Sequence, residues 1–465
     1  MRFPAGFLWG ASTSAFQVEG STTADGRGRS IWDTFAETPG NVLDGDTGEP
    51  GGDHYNRYPE DVAIMRELGL GAYRFSIAWP RVLPEGGGQV NQAGLDFYDR
   101  LVDALLEAGI DPWPTLYHWD LPQALEDAGG WPARDTAYRF ADFAEVMRDA
   151  LGDRVSTWTT VNEPWCAAFL GYADGAHAPG RREPAAALAA AHHLMLGHGL
   201  AAAALREGQG GTGQARRVGL VLNPTTLRPN STDPADITAV RRADGVRNRI
   251  FHGPLFQGAY PQDVLDDLAP VSDFAFVKDG DLSIISAPLD LVGVNFYTPH
   301  WIAASDRGID PADIASGGDS SAYVGCEDLT FVWHGLPRTG IGWEVDPSGL
   351  YDVLTRLAGD AQGVPIYIIE NGAAYPDQVD EDDAVHDPDR VAYLDGHLRA
   401  VREAMKAGAP LAGYFAWSLL DNFEWAWGYS QRFGLVHVDY ETQRRRIKDS
   451  GRWYAQVARS GELPG

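Results

Sequence analysis

The stretches AYRFS (residues 72–76), LDFYDRLVDALLEA (residues 95–108) and WPTLY (residues 113–117) decide the fold. The first and the last are short apolar runs with the length and composition of buried strands. The middle stretch repeats apolar side chains every three to four positions, which is typical of one buried helix face, and Gly109 follows it as a C-cap. A strand, a helix and a second strand in this order predict two parallel strands joined by a crossover helix.

The same alternation recurs along the whole chain and predicts a closed parallel barrel. The predicted strands are residues 7–11, 72–76, 113–117, 157–161, 218–222, 291–295, 365–369 and 413–417. The clearest predicted helices are residues 61–68, 95–108, 138–151, 184–206, 348–358 and 389–406. Eight such units favour a (β/α)8 barrel of the α/β class, whereas a doubly wound open sheet, the alternative, usually has fewer strands.

Long stretches without periodicity follow several of the strands. They cover residues 19–58, 297–342 and 420–439. In a barrel of this kind the loops after the strands enlarge and build the active site. No linker rich in Pro, Gly or Ser divides the chain, so we expect one catalytic domain over residues 1–465.

The formal net charge of -28 at pH 7 restricts the partners of the protein. A strongly acidic surface repels nucleic acid and anionic membranes, so we expect neither as a partner. The same charge disfavours a phosphorylated substrate mildly, while an uncharged small molecule is indifferent to it. The sequence indicates no particular oligomeric state.

Cysteine usage and the chain start both favour a cytoplasmic protein. Two cysteines, Cys166 and Cys326, are too few for a disulfide framework. The first residues lack a charged segment followed by an apolar run, and no stretch of about 18 apolar residues is uninterrupted. We therefore expect a reducing compartment, no signal peptide and no membrane span.

Two patterns imitate cofactor sites without their structural context. Residues 208–213 fit the glycine pattern of a dinucleotide loop but follow a helix and precede a strand, which is the reverse of the required order. His192, His193 and His198 share one alanine-rich helix, yet no two are four residues apart with a glutamate between them. The sequence therefore predicts neither a metal nor an organic cofactor.

Two glutamates stand where predicted strands end. Glu163 follows residues 157–161 closely and Glu370 directly follows residues 365–369. A typical glutamate is a solvated surface charge, but a carboxylate at the end of a buried strand is costly unless it is paired or functional. Amides, a histidine and many tryptophans accompany the two, a mixture that suits a sugar, and a pair of carboxylates is the machinery of glycoside hydrolysis.

At these residues the sequence resembles glycoside hydrolase family 1, the β-glucosidase family. The matching segments, in the order of the family, are FLWGAS (7–12), YHWDLP (117–122), TVNEP (160–164), IIENG (368–372), NFEW (422–425) and FGLVHVD (433–439). Each short segment alone could arise by chance. Together they cover nearly the whole chain, and the resemblance implies a retaining β-glucosidase on a (β/α)8 barrel.

The resemblance also implies roles for individual residues. Glu163 corresponds to the acid/base and Glu370 to the nucleophile. The implied ligands of the non-reducing glucose are Gln17, His118, Asn162, Glu424 and Trp425, with Trp417 as the platform under the ring. Tyr297 and Arg74 correspond to partners that hold and tune Glu370. The implied supporting or aglycone-site residues are Trp119, Trp165, His177, Asn295, Trp333 and Phe433.

The implied mechanism needs the two glutamates in different protonation states. Tyr297 and Arg74 would keep Glu370 ionised, and the negative charge of Glu370 would favour the protonated form of Glu163. The expected substrates are cello-oligosaccharides and aryl or alkyl β-glucosides. Three alternatives stay open: a broader galactosidase or fucosidase, a transglycosidase on the same site, and a catalytically silent sugar-binding barrel.

Overall fold

Eight parallel strands close into a barrel in the computed structural model, which describes residues 2–208, 215–305 and 322–464. The strands are Leu8–Ser12 (β1), Ala72–Ser76 (β2), Asp111–Tyr117 (β3), Thr157–Asn162 (β4), Arg217–Leu222 (β5), Leu291–Asn295 (β6), Ile366–Asn371 (β7) and Leu411–Trp417 (β8). Each strand pairs with its neighbours in sequence, and β1 pairs in parallel with β8 to complete the ring. The predicted (β/α)8 barrel is therefore confirmed.

Helices return the chain from each strand to the next. The longer ones are His54–Leu68 (α1), Gln92–Glu107 (α2), Asp135–Leu151 (α3), Pro184–Arg206 (α4), Pro234–Asp244 (α5), Pro347–Asp360 (α6), Pro388–Lys406 (α7) and Asp449–Ser460 (α8). Shorter helices include Ile31–Glu37, Gln123–Asp127, Gln262–Leu268 and Asp281–Ile285. All eight predicted strands and all six predicted helices have counterparts here, with boundaries shifted by a few residues.

The largest boundary difference is at α1, which begins at His54 rather than at the predicted residue 61. Pro59 is the sixth residue of this helix, so its missing N–H removes the i→i−4 hydrogen bond to the carbonyl of Tyr55, and the helix continues through it. The helix ends as predicted, because Gly69 adopts φ 73° in the left-handed region that favours glycine. That residues 1–465 form one domain stays a prediction.

Large side chains fill the interior of the barrel. Trp113 of β3, Tyr367 of β7 and Phe415 of β8 are all buried and contact one another, with ring centroids 4.9 and 5.1 Å from Trp113. This packing closes the barrel below the ends of the strands where the catalytic glutamates were predicted. The predicted site residues at the strand ends therefore lie above a packed layer of large side chains, as in other barrels of this class.

Two small sheets decorate the loops above the barrel. Leu227–Pro229, His300–Ala304 and Leu329–Val332 form one sheet, and Val436–Val438 pairs with Arg445–Ile447 in the other. The first sheet extends the loops after β5 and β6, and the second closes the long loop after β8. The enlarged βα loops predicted from the sequence thus carry structure of their own.

The helix α4 is the one described helix that is long and apolar enough to span a membrane by length and composition, and 83% of its apolar stretch is buried within the protein. Its histidines have ordinary core partners. His192 Nε2 lies 2.9 Å from Asp281 Oδ2, His193 Nδ1 lies 3.0 Å from a backbone oxygen, and His198 Nδ1 lies 2.7 Å from the Thr160 hydroxyl.

The histidine pattern named above does not form a metal site among the described residues. Among residues 2–208, 215–305 and 322–464, no cluster of three His, Cys, Asp or Glu side chains could hold a metal ion. Residues 209–214 lie outside the described part of the chain, so the glycine pattern at 208–213 falls mostly there.

Candidate active site

A cavity of about 650 Å³ opens at the carboxyl ends of the strands. It is large enough for a sugar and part of an aglycone. Most of the site residues predicted from the sequence line it. They are His118, Trp119, Glu163, Trp165, His177, Asn295, Tyr297, Glu370, Trp417, Glu424, Trp425 and Phe433.

Glu370, at the end of β7, is held by two side chains from other strands. Arg74 of β2 donates a hydrogen bond and forms an ion pair to Oε1. The Tyr297 hydroxyl, just after β6, donates to Oε2 at 2.7 Å. Both contacts are those predicted, and they orient the carboxylate rigidly at the bottom of the cavity.

Glu163 lies just after β4 in a different environment. Its Oε1 accepts a hydrogen bond of 2.5 Å from Asn295 Nδ2, and Asn295 is the Cα partner of Glu370 in the pairing of β6 with β7. Asn295 thus contacts Glu163 through its side-chain amide and lies beside Glu370 through its backbone. No described cation contacts Glu163, whereas Glu370 contacts Arg74 directly.

The backbone bends sharply where the site residues leave their strands. Glu163 has φ 47°, Trp119 has φ 77° and Trp425 has φ 50°, all in a region that side chains other than glycine rarely adopt. Such conformations cost about 1–3 kcal/mol each and persist only where the surrounding structure enforces them. Three of the eleven described non-glycine residues with positive φ thus line the cavity.

Three further predicted residues lie behind the cavity surface and support it. Asn162 Oδ1 accepts from Arg74 Nη2 at 2.7 Å and from Asn295 Nδ2 at 3.1 Å, while its Nδ2 lies 3.2 Å from His118 Nε2. Gln17 is fully buried and donates from Nε2 to Asn422 Oδ1 at 3.0 Å. These amides and Arg74 form the network on which the glutamates rest.

Burial is the largest influence on the pKa of Glu370 and raises it to about 7. The positive charge of Arg74 and the hydrogen bond from Tyr297 lower it, and the neighbouring charge of Glu163 raises it. The predicted contacts of Glu370 are thus present, but the effect of burial on its pKa outweighs theirs.

Two other polar groups face the cavity. Burial, together with the charges of Glu370 and Glu163, raises the pKa of Glu424 to about 8. Oε2 of Glu424 is buried and has no hydrogen-bond partner among the described residues. Burial, and then the charge of Arg74, holds the pKa of His118 well below its ordinary value, so His118 is neutral. Both groups can therefore exchange hydrogen bonds with hydroxyls of a neutral sugar.

The prediction for Trp333 differs from the structure. Trp333 is not among the described residues that line the cavity, and the guanidinium of Arg338 covers its ring at 4.0 Å. Trp343 takes the wall position instead, with its ring 5.3 Å from that of Tyr297. Both tryptophans lie in or just beyond the long loop after β6, where no periodicity distinguishes one from the other.

The sequence also missed several residues on the outer part of the wall. These are Cys166, Asn223, Arg247, His300 and Tyr323. Cys166, three residues after Glu163, could have been found from that proximity, and its thiol accepts from Asn223 Nδ2 at 3.1 Å. The others lie in loop segments that carry no motif.

A closed parallel barrel with two buried glutamates facing one sugar-sized cavity defines a glycoside hydrolase. The sequence profile described as glycosyl hydrolase family 1 matches residues 1–463, and the chain belongs to that family.

Comparisons with individual proteins agree over the full length. The chain is 47% identical over 463 residues to β-glucosidase A of Thermotoga maritima, covering 99% of each chain. It is 46% identical to a protein of Bifidobacterium breve named bifunctional β-D-glucosidase/β-D-fucosidase, covering 98% of this chain and 97% of the relative. A crystal structure of a psychrophilic β-glucosidase from Micrococcus antarcticus superposes with a TM-score of 0.94 at 50% identity, covering 100% of this chain and 98% of the other.

Proposed function

We propose that this protein is a retaining β-glucosidase that releases terminal non-reducing β-D-glucosyl residues from cello-oligosaccharides and from aryl or alkyl β-glucosides. The observation that carries the proposal is the asymmetric pair of glutamates in one cavity. Glu370 contacts a cation and a phenol, whereas Glu163 contacts a neutral amide. That asymmetry suits two carboxyl groups with different tasks.

In the first step Glu370 attacks the anomeric carbon as Glu163 protonates the departing glycosidic oxygen. The bond from the anomeric carbon to the aglycone breaks, and a glucosyl ester of Glu370 forms. Arg74 and Tyr297 prepare the attacking carboxylate by holding both of its oxygens. Asn295 holds Oε1 of Glu163 beside the leaving oxygen.

In the second step Glu163, now ionised, removes a proton from water, and the water oxygen attacks the anomeric carbon. Ester formation removes the negative charge of Glu370, so that charge no longer opposes a negative charge on the neighbouring Glu163. The same side chain can therefore act first as acid and then as base. Two inversions at the anomeric carbon leave a product of β configuration.

The residues at the inner end of the cavity support glucose as the sugar. Glu424 and His118 offer a carboxyl and an imidazole group to hydroxyls, Gln17 lies behind them and donates to Asn422, and Trp417 and Trp425 offer aromatic faces. Glu424 presents a carboxyl group where a phosphorylated sugar would require a cation, and Arg432 nearby is engaged by Asp421 at 2.7 Å. Unphosphorylated glucose fits this end best.

A second activity has specific support. The relative from Bifidobacterium breve is named for both glucosidase and fucosidase action, and a relative from Thermotoga neapolitana is named 1,4-β-D-glucan glucohydrolase. We expect this protein to accept fucosides as well as glucosides, with cello-oligosaccharides as natural substrates. Transfer to an acceptor alcohol competes with water for the same glucosyl ester.

The test is hydrolysis of 4-nitrophenyl β-D-glucoside followed by proton NMR during the first minutes. The expected first product is β-glucose, which then mutarotates. The matched panel consists of the β-galactoside, the β-fucoside and the 6-phospho-β-glucoside, compared by kcat/KM. First release of α-glucose would contradict double displacement, and absence of any cleavage would favour the silent sugar-binding barrel.

We place the protein in a reducing, cytoplasmic compartment without nucleic-acid or membrane partners. Cys166 and Cys326 are both free and buried, which is consistent with that placement. Solved structures of the Thermotoga maritima enzyme contain deoxynojirimycin and castanospermine, and we expect such small sugar-like inhibitors to occupy the cavity described here.

A further inference from the structure

Carboxylates and arginines both line the cavity. Glu163 and Glu370 line it from the ends of β4 and β7, with Glu424 within reach of their charges, and we call this part the inner end. Arg247 and Arg182 line it from the connecting segments after β5 and β4, and we call the part lined by these segments the outer end. Neither arginine belongs to the machinery that cleaves the glycosidic bond. Cations beside the aglycone path are unexpected in a chain whose formal net charge is -28, and they therefore require an explanation.

Arg247 is held in place by an aromatic ring and a hydroxyl group. Its guanidinium lies 3.7 Å from the centroid of the Trp165 ring, and its Nε donates to Thr225 Oγ1 at 3.0 Å. It is half-buried and lies on the π-helical turn Gly245–Arg249. A stacked guanidinium in a fixed position still has N–H groups free for bidentate binding of a carboxylate.

Neighbouring arginines are neutralised and Arg247 is not. Arg249 pairs with Asp244 at 3.0 Å, and Arg241 pairs with Asp263 at 2.7 Å, both on the outside of the barrel. Within residues 2–208, 215–305 and 322–464, no carboxylate forms an ion pair with Arg247.

Other charged groups on the outer wall leave this positive charge in place. Burial, with a smaller contribution from Arg247, lowers the pKa of His300 to about 3, so that imidazole is neutral. Asp174 is the one further carboxylate among the described lining residues, and Arg182 lies on the same part of the wall. Tyr323 and Trp165, with ring centroids 5.4 Å apart, supply an aromatic surface beside Arg247.

We infer that Arg247 is an aglycone-specificity residue, which binds a carboxylate on the aglycone while Trp165 and Tyr323 contact its apolar part. The preferred substrates are then β-glucosides whose aglycone carries a carboxylate, either on an aromatic ring or as an aldonic acid. The inference rests on the proposed β-glucosidase function. The carboxylate takes no part in bond cleavage, so the chemistry stays that of the two glutamates.

The first experiment compares 4-carboxyphenyl β-glucoside with its neutral isostere, 4-carbamoylphenyl β-glucoside. The readout is the ratio of their kcat/KM values in each protein, because differences in leaving-group chemistry cancel when ratios are compared between variants. Arg247→Met, which keeps an apolar contact with Trp165, should lower this ratio about five- to tenfold. Arg247→Lys, which keeps the charge but loses the stacked, bidentate guanidinium, should give an intermediate ratio.

Arg241→Leu is the matched control, since Arg241 carries the same charge nearby but does not line the cavity. Its ratio should equal that of the unaltered protein. Raising the salt concentration should lower the ratio in the unaltered protein and leave it constant in Arg247→Met. An equal ratio in Arg247→Met and the unaltered protein, or a ratio insensitive to salt, would overturn the inference.

A second arm identifies the source of the carboxylate by comparing cellobionate with cellobiitol, its uncharged counterpart. Dependence on Arg247 in this arm alone assigns aldonic acids, and dependence in the aryl arm alone assigns aromatic acids. Failure of the proposed function is distinguishable, because the protein would then cleave neither the neutral nor the charged glucosides. Cleavage of the neutral glucosides with no effect of Arg247 in either arm leaves the function intact and overturns only this inference.

Discussion

The inner and the outer end of the cavity are built on different principles. At the inner end, side chains from β2, β4, β6 and β7 bond to one another, so that Arg74, Asn162, Asn295 and Glu370 form one network. At the outer end, Arg247 and Trp343 come from loops and make aromatic contacts more than polar ones. Polar contacts between residues of different strands thus build the inner end, whereas aromatic contacts of residues from the connecting segments build the outer end.

This difference predicts which substitutions should reduce catalysis and which should change the choice of aglycone. A network of buried polar groups loses more than one contact when a member is removed, because its partners are left unsatisfied. An aromatic wall loses mainly contact area. Replacements at the inner end should therefore abolish or redirect catalysis, and replacements at the outer end should change the choice of aglycone.

The largest expected effect is that of Glu370→Gly. Without the nucleophile, kcat/KM for 4-nitrophenyl β-glucoside should fall by at least about four orders of magnitude. Added azide fills the vacated space and should yield α-glucosyl azide, which NMR identifies. Glu163→Ala is the matched comparison, because azide then attacks the intact glucosyl ester of Glu370 and should yield the β-azide. A β-azide from Glu370→Gly would contradict the assignment of the nucleophile.

The second largest expected loss of kcat/KM is that of Glu424→Ala. Its Oε2 is buried and unpartnered among the described residues, so a sugar hydroxyl is the expected partner. Loss of a hydrogen-bonded carboxyl group should lower kcat/KM for the glucoside about 100-fold. The matched substrate is 4-nitrophenyl β-xyloside, which lacks the C6 hydroxyl and should lose less. An equal loss on both substrates would show that Glu424 does not contact that hydroxyl.

The inner end could be predicted from the sequence because its residues stand directly at strand ends. Glu370 follows a run of β-branched and aromatic residues, and the strand period together with the barrel fold places it at the catalytic face. Asn295 was predicted in the same way. The energetic balance was not predictable, since the burial that raises the pKa of Glu370 depends on the packing of many distant segments.

The third prediction concerns pH. The hydrogen bond from Tyr297 lowers the pKa of Glu370, so Tyr297→Phe should raise that pKa. Because Glu370 must be ionised to attack, the acid limb of the kcat/KM profile should move to higher pH, with about a tenfold loss on the acid side. Tyr323→Phe is the matched control from the outer end, and its acid limb should not move. An unmoved limb in Tyr297→Phe would show that Glu370 does not set it.

The outer end was largely hidden from sequence reasoning. Trp333 was predicted on the aglycone wall, but Trp343 lies there, and nothing in loop residues fixes which way a tryptophan points. Arg247 belongs to none of the sequence motifs named above. Its position depends on a π-helical turn and on contact with the ring of Trp165, which lies 82 residues earlier in the chain.

The smallest expected effect comes from Trp427, which is 46% exposed at the outer rim, two residues after Trp425, which is 5% exposed. The two belong to one short helical turn, Trp425–Trp427, so they form a matched pair within one segment. Trp425 packs between Trp32 and Trp119, with ring centroids 4.5 and 4.6 Å away.

Trp427→Ala should change kcat/KM for phenyl β-glucoside by less than about twofold and should leave the thermal midpoint almost unchanged, because surface substitutions cost within about 0.5 kcal/mol. Trp425→Ala opens a cavity between Trp32 and Trp119 and should destabilise the protein by about 3–5 kcal/mol. Thermal unfolding with kinetics on both variants measures the contrast. If Trp427→Ala lowers kcat/KM for phenyl β-glucoside as strongly as Trp425→Ala does, the rim is part of the glucose site, and the division between the inner and the outer end fails.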